Sequence, residues 1–299
     1  MSFNSVKEMI SEAENENRTL PETVLLHDLK DSAITREQSV RKMKYLWEVM
    51  QATSAGYCAD DRSNSGLTGG NAAKIGRAAS AGKLIGDPFM FEVIEESLKT
   101  AECNACMKRI VAAPTAGSCG ILPGVLIPLS RRHSADPGFD DKIIESLYVA
   151  AGFGQVTAAR ASVSGAEGGC QAEIGTAAAM AAAALTWIGG GTASQCSDAF
   201  AIALTNMLGL VCDPVAGLVE IPCINRNAAG AMTAVSSADM ALAGISSDIP
   251  ADEVIDCMKE VGDVMVAELR ETGKGGLAGT PTGRDIAARV LQKNSFAEK

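Results

Sequence analysis

The stretch AAAMAAAALTWI, residues 177–188, is the longest apolar run of the chain and decides its fold class. Only Thr186 interrupts it, and it is too short to span a bilayer, which takes about 20 apolar residues. Three glycines at 189–191 follow, and glycine commonly ends helices. The run therefore predicts a helix from about Ala172 to Ile188 that is buried on all sides.

Apolar residues follow the helical period along most of the remaining sequence. Thr35 and Gln38 form a capping box, and Asp87 ahead of a proline opens another helix. The spacing predicts further helices over 225–244 and 252–272, and Ser194 is the expected cap of the helix that follows it. We predict a mainly α fold with one helical domain over 35–299. Residues 1–34 are acidic and form a predicted N-terminal appendage that can dock on another chain.

Composition excludes several classes of protein. A formal net charge of -10 disfavours binding to nucleic acid and to an anionic membrane surface. The polar, acidic N-terminus lacks the pattern of a signal peptide. Nine cysteines, an odd number, without such a signal favour reduced thiols or metal ligands over a disulfide framework. We expect a cytoplasmic protein.

Three cysteines lie in unusual surroundings: Cys170 in GGCQAE, Cys212 in GLVCDPVAG and Cys223 in IPCINRNA. Each lies next to the end of a predicted helix, and at a helix start free N–H groups stabilise a thiolate. Three thiolates can hold a 4Fe-4S cluster and leave the fourth iron open to a substrate oxygen. On residue type alone, an ordinary buried thiol remains the simpler interpretation of each.

The other cysteines give weaker signals. Cys103 and Cys106 form a CxxC on a polar predicted helix without a second pair, which favours a structural role. Cys119 lies in the glycine-bounded loop AGSCG and is a predicted pocket wall, not a ligand.

Two glycine-bearing loops, SGLTGGNAAK at 65–74 and APTAGSCG at 113–120, can hold a carboxylate. Free N–H groups at a helix start favour an anion. Neither matches a P-loop, and a tight turn is an equally good interpretation of each. Glu167 could orient an amino group, and Arg226 and Asn227 could fix a cluster or a carboxylate. The candidate substrate-binding residues are Ser65, Thr68, Gly69, Gly70, Asn71, Thr115, Ser118 and Glu167.

Five blocks of the sequence together resemble the alpha chain of the two-subunit, iron-sulfur-dependent L-serine dehydratases. The blocks occur in the family's order and cover most of the chain. They are SGLTGGNAAK at 65–74, APTAGSCGILPG at 113–124, SVSGAEGGCQAEIGTAAAMAAA at 162–183, LGLVCDPVAGLVEIPCINRNAAGA at 208–231 and GKGGLAGTPTG at 273–283. Single-chain members carry a partner-like N-terminal domain and a terminal cysteine. The resemblance here is to the separate alpha chain.

This resemblance implies a lyase that eliminates water from L-serine and yields pyruvate and ammonia. It implies that Cys170, Cys212 and Cys223 hold a 4Fe-4S cluster built on helix ends, whose open iron acts as a Lewis acid. It also implies a separate beta subunit. The two histidines, His27 and His133, lie in settings typical of non-catalytic residues, so we expect the base to come from that partner chain.

Other functions remain open at this point. The same cluster could serve an L-cysteine desulfidase or an L-threonine dehydratase. A non-catalytic subunit with a structural metal is a further alternative, although zinc would want a fourth ligand. A pyridoxal-phosphate enzyme is weaker, since Lys74 and Lys274 are poor candidates for a Schiff base.

Overall fold

The computed structural model describes the backbone of residues 3–297 and the side chains of residues 3–292. Within these residues the chain is helical, and its single β-type pairing is an isolated bridge between Cys212 and Arg270. This confirms the mainly α prediction. The helices are α1 (Val6–Asn15), α2 (Leu20–Ser32), α3 (Arg36–Ala55), α4 (Asn71–Ser80), α5 (Pro88–Ala105), α6 (Ile121–Arg132), α7 (Phe139–Arg160), α8 (Gly165–Gly168), α9 (Thr176–Ile188), α10 (Ala193–Thr205), α11 (Cys223–Leu242), α12 (Ala251–Val264) and α13 (Pro281–Ala297).

Helix α9 lies at the centre of the molecule. Every residue from Thr176 to Thr186 is buried, and α6, α7, α10 and α11 all contact the helix. Its alanines let these neighbours approach closely, because a methyl side chain adds little to the distance between two backbones. The run at 177–188 is therefore the buried helix that the sequence predicts, and it is the element around which the others pack. None of the described helices is long and apolar enough to cross a bilayer.

A single π-helical turn, Gln171–Gly175, precedes α9. The buried Gln171 side chain stabilises it by donating to the Met258 carbonyl oxygen at 2.9 Å and accepting from the Gly209 N–H at 2.8 Å. Its own N–H donates to the Leu210 carbonyl at 2.9 Å. Such turns are rare and are frequent at functional sites. This one directly follows Cys170 and ties it to the segment before Cys212.

The first two helices share the core of the others. Phe3, Met9 and Leu20 are at most 1% exposed and belong to the same hydrophobic cluster as α7 and α9. The Val6 N–H at the start of α1 donates to Asp252 at the start of α12, at 2.8 Å. Residues 3–34 are thus packed on the helical domain, and the proposed division at residue 34 stays a prediction.

Two of the three predicted helix caps are present in the structure. Both hydrogen bonds of the Thr35–Gln38 capping box are present, and Asp87 accepts from two N–H groups of α5. Ser194 is not a cap, because Thr192 one residue before α10 forms a capping box of its own with Gln195.

Helix α12 ends at Val264, which corrects the predicted helix over 252–272. The following segment pairs with the backbone of Cys212 instead. The Cys212 N–H donates to the Leu269 carbonyl at 2.8 Å, and the Glu271 N–H donates to the Cys212 carbonyl at 2.7 Å. A tertiary contact thus replaces the last turns of the helix and holds Cys212 in position.

Candidate functional site

Cys170, Cys212 and Cys223 come from three separate segments of the chain. Cys170 precedes the π-helical turn, Cys212 lies in the extended bridge after α10, and Cys223 is the first residue of α11. They are 2%, 2% and 7% exposed. The Cys170 and Cys212 side chains are near enough for their interaction to shift the pKa of both thiols, and the charge of Cys170 raises the pKa of Cys223. Among the described residues, no three Cys, His, Asp or Glu side chains are arranged at metal-ligand spacing.

The three thiols differ in proton affinity. The hydrogen bond from Cys212 and the charge of Arg226 lower the pKa of Cys170. That same bond, with burial, raises the pKa of Cys212. Burial raises the pKa of Cys223 to about 12. Cys170 is therefore the thiol of the three that ionises most easily, and added positive charge favours ionisation of the other two.

The donor set fits an iron-sulfur cluster in type and in charge. Thiolate sulfur is the usual ligand of such clusters, and a bound metal supplies the positive charge that stabilises coordinating thiolates. Three buried thiols beside a guanidinium match this requirement. Cys170, Cys212 and Cys223 are the residues that would hold the group.

Arg226 forms an ion pair with Asp213, and their side chains are 16% and 4% exposed. The Arg226 Nη2 lies 2.9 Å from the Asp213 Oδ1, and its Nη1 donates to the Val211 carbonyl at 2.8 Å. The Asp213 Oδ2 accepts from the Leu277 N–H at 2.7 Å. At Gly276, where φ is 56°, a Cβ would lie 2.4 Å from that oxygen. The GKGGLAGTPTG block thus needs its glycine to reach the segment that carries Cys212.

Asn227 connects the third cysteine with the loop APTAGSCG. Its Nδ2 donates to the Gly117 carbonyl at 2.7 Å and to the Cys223 carbonyl at 2.9 Å. Its Oδ1 accepts from the Gly120 N–H at 2.8 Å. Since the side chain is 1% exposed, this bridge is fixed. Two blocks that are far apart in the sequence therefore lie together in the structure.

Glu173 is a site residue that the sequence reasoning missed. A Cβ added to Gly165 would lie 2.7 Å from the Glu173 Oε2 and 3.0 Å from the Cys212 Sγ, so this carboxylate lies next to the thiols. Burial raises its pKa, against a hydrogen bond from Thr115. The signal in the sequence that points to Glu173 is its position three residues after Cys170, about one helical turn away. Glu167 is instead exposed, and its predicted role stays a prediction.

The loop SGLTGGNAAK is organised by two buried glutamates. Ser63 and Ser65 donate their hydroxyls to Glu220 at 2.7 and 2.8 Å. Thr68 is buried at 6% exposure. Gly69 has a φ of 133°, and a Cβ there would lie 2.1 Å from the Asp61 carbonyl oxygen. The glycine is thus required by the loop itself, and changing it would distort the loop as well as any ligand contact.

The start of α4 is occupied by the chain's own carboxylate. The N–H groups of Asn71 and Ala72 donate to Glu102 at 2.8 and 3.2 Å. Gly70 takes the left-handed conformation just before them. Tyr57 also donates to Glu102, at 2.9 Å. The predicted free N–H donors at Asn71 are therefore already paired, and the assignment of Gly69, Gly70 and Asn71 to a substrate stays a prediction.

We expect Glu102→Gln to lower the free energy of unfolding by about 1–3 kcal/mol, because two N–H groups of α4 and the Tyr57 hydroxyl lose a charged acceptor. Urea unfolding followed by circular dichroism measures this. Glu260→Gln on the exposed surface of α12 is the matched control and should change stability little. Equal stability of the two variants would contradict the capping role of Glu102.

The loop APTAGSCG is a tight turn in which two candidate hydroxyls engage each other. The Thr115 and Ser118 hydroxyl oxygens are 3.0 Å apart, and the Ser118 Oγ accepts from the Thr115 N–H at 3.3 Å. Cys119 is 1% exposed, and burial raises its pKa to about 12. It points toward the Thr100 carbonyl, so the structure does not bring it into the group of three thiols.

A cavity of about 400 Å³ is lined in part by this turn. Ser65 and Ala116 from the two glycine loops line it, with residues 217–220 from the stretch between Cys212 and Cys223. The structure thus brings both predicted substrate loops to one concave surface. The three cysteines are not among the residues that line it.

The remaining titratable candidates have local partners. His27 pairs with Glu12 at 2.7 Å, and His133 pairs with Asp136 at 2.7 Å and stacks on Phe139. In the CxxC, the Cys103 thiol donates to the Thr53 carbonyl, and Cys106 caps the end of α5.

Comparison with known proteins confirms the family that the five sequence blocks resemble. The family model of the serine dehydratase alpha chain matches residues 4–278. A probable L-serine dehydratase alpha chain of Bacillus subtilis is 44% identical over 289 residues, 97% of this chain and 95% of that protein. The L-serine dehydratase alpha chain of Peptoniphilus asaccharolyticus is 41% identical over 97% of this chain and 99% of its own length.

A longer relative contains a region similar to this chain within a larger protein. L-serine dehydratase 1 of Escherichia coli is 39% identical over 247 residues, which are 78% of this chain but 52% of that protein. The match to the family model and to two relatives over nearly their whole length shows that this chain belongs to the serine dehydratase alpha chain family.

Proposed function

We propose that this chain is the alpha subunit of an iron-sulfur-dependent L-serine dehydratase, a cytoplasmic lyase that converts L-serine into pyruvate and ammonia. The observation that carries the proposal is the meeting of three buried thiols, Cys170, Cys212 and Cys223, beside the guanidinium of Arg226. The activity named for the relatives supports the substrate.

The proposed cofactor is a 4Fe-4S cluster held by the three thiolates. When bound, such a cluster with one iron free of thiolate supplies a Lewis acid for the departing β-hydroxyl. The Arg226 guanidinium stabilises the negative charge of Cys170. Asn227 fixes the distance between Cys223 and the loop at Gly117, so the thiol and the loop keep one geometry.

Loss of the α-proton and of the β-hydroxyl leaves aminoacrylate and one water molecule. The imine tautomer then takes up water and gives pyruvate and ammonia. Proton removal requires a base within hydrogen-bond reach of the α-carbon. We propose that a separate beta subunit supplies it, because both histidines of this chain are engaged in local contacts.

The test is anaerobic purification of the chain with a co-expressed beta subunit, followed by iron counting and a pyruvate assay. We expect iron in the protein and turnover of L-serine. Activity should decay in air, because an iron not held by thiolate is lost easily, and should return with ferrous iron and thiol. Stable activity in air without iron would contradict the proposal.

The same assay separates the related reactions. Turnover of L-threonine or L-cysteine above that of L-serine would favour the dehydratase or desulfidase alternative. Bound iron without turnover of any of the three would favour a structural metal. Reduced glutathione and a borohydride-treated sample serve as controls against oxidation and against a Schiff base.

A further inference from the structure

A carboxylate lines the 400 Å³ cavity beside the glycine loops, and none of the described lining residues carries a positive charge. Among the described residues that line it, Glu220 is the single charged side chain. The others are small, apolar or amide residues, including Asn64, Asn104 and Met107. A pocket with one carboxylate on its wall selects a cation of matching size.

The Glu220 carboxylate is held rigidly and is largely removed from water. The residue is 7% exposed, and its oxygens accept from the Ser63 hydroxyl at 2.7 Å and from the Ser65 hydroxyl at 2.8 and 3.0 Å. Within the described part of the chain, these partners are neutral hydroxyls and not cations. A buried charge is costly unless it is paired, so a positively charged ligand would complete this arrangement.

The end of α5 adds to the negative potential. Asn104 and Ala105 at its C-terminus line the same cavity. A helix of this length carries a partial negative charge at its C-terminal end. Its last turn contains no basic residue that would neutralise it. Lys108, the nearest cation in sequence, instead pairs with Asp61 and the Gly56 carbonyl.

We propose that this cavity binds the α-ammonium group of the amino-acid substrate, with Glu220 as its counter-ion and Ser63 and Ser65 as the residues that position Glu220. The inference rests on the proposed function, whose substrate carries such a group. It also changes the role of Ser65. Because its hydroxyl donates to the Glu220 carboxylate, Ser65 would lie near the ammonium group of the substrate and not near the substrate carboxylate.

The experiment compares two ligands in the assembled, iron-loaded enzyme under anaerobic conditions. L-serine carries the ammonium group, and 3-hydroxypropanoate has the same carboxylate and hydroxyl without it. Glu220→Gln should weaken the binding of L-serine about 10- to 100-fold and that of 3-hydroxypropanoate by less than about threefold. KM and calorimetry measure these changes. Ser65→Ala should act in the same direction with a smaller effect. Glu260→Gln is the matched control and should change neither affinity.

Three outcomes would overturn the inference. Equal weakening of both ligands would show general damage to the site, and unchanged affinity for L-serine would show that Glu220 does not face it. Binding of ammonium or potassium ions that requires Glu220 but leaves the affinity for L-serine unchanged would assign the cavity to a free cation. Failure of the proposed function is distinct, because the wild-type enzyme would then lack iron or form no pyruvate.

Discussion

Replacing Cys170, Cys212 or Cys223 with serine should remove most of the bound iron and abolish pyruvate formation. The three thiols come from separate segments and are at most 7% exposed, and the proposed cluster uses each of them as a ligand. A serine hydroxyl is close in size but is not ionised at neutral pH and is a poor ligand for a soft metal centre. Iron counting and a pyruvate assay on anaerobically purified protein measure the effect.

Cys106→Ser and Cys257→Ser are the matched controls for these changes. Cys106 caps the end of α5, and Cys257 is exposed on α12, so both variants should keep iron and activity. Thermal unfolding separates loss of the cofactor from loss of the fold. Full iron content in Cys212→Ser would refute the assignment of the ligands.

The chain purified without a beta subunit should turn over L-serine about 10² to 10⁴-fold more slowly than the assembled enzyme, which is the usual contribution of a positioned base. Both histidines are bound to local carboxylates, at 2.7 Å from Glu12 and from Asp136. A steady-state pyruvate assay before and after addition of the beta subunit measures the difference.

Iron content should be the same in both samples, because the proposed ligands all belong to this chain. A chain that is fully active alone would place the base within it. Glu173, the carboxylate next to the thiols, would then be the first residue to replace with glutamine.

The sequence was a sound guide to helices because their signals are local. The alanine run at 177–188 is buried in α9, and the Thr35 and Asp87 caps lie where the pattern predicts them. The predicted helix over 252–272 was too long. Its apolar period continues past Val264, but the backbone of residues 269–271 pairs with Cys212, which the local pattern does not reveal.

The residue pattern also identified the three cysteines and, through the five blocks, the family. It did not identify the carboxylates. From the sequence, Glu102, Glu173 and Glu220 are expected to be solvated acids, yet Glu102 and Glu220 are buried, Glu173 is half-buried, and all three are hydrogen-bonded. Glu102 and Glu220 both accept hydrogen bonds from SGLTGGNAAK, the loop in which the sequence predicts a substrate carboxylate.

By itself, the sequence determined the helical class, the central helix and the residue type of the proposed metal ligands, since periodicity, capping and residue type act over a few neighbouring positions. Tertiary structure decided which charges meet. Ser63 lies 157 residues from Glu220, and Gly117 lies 110 residues from Asn227. Such contacts follow from how the helices pack around α9, because the free energy of burying and pairing polar groups depends on the whole core and not on the local chain.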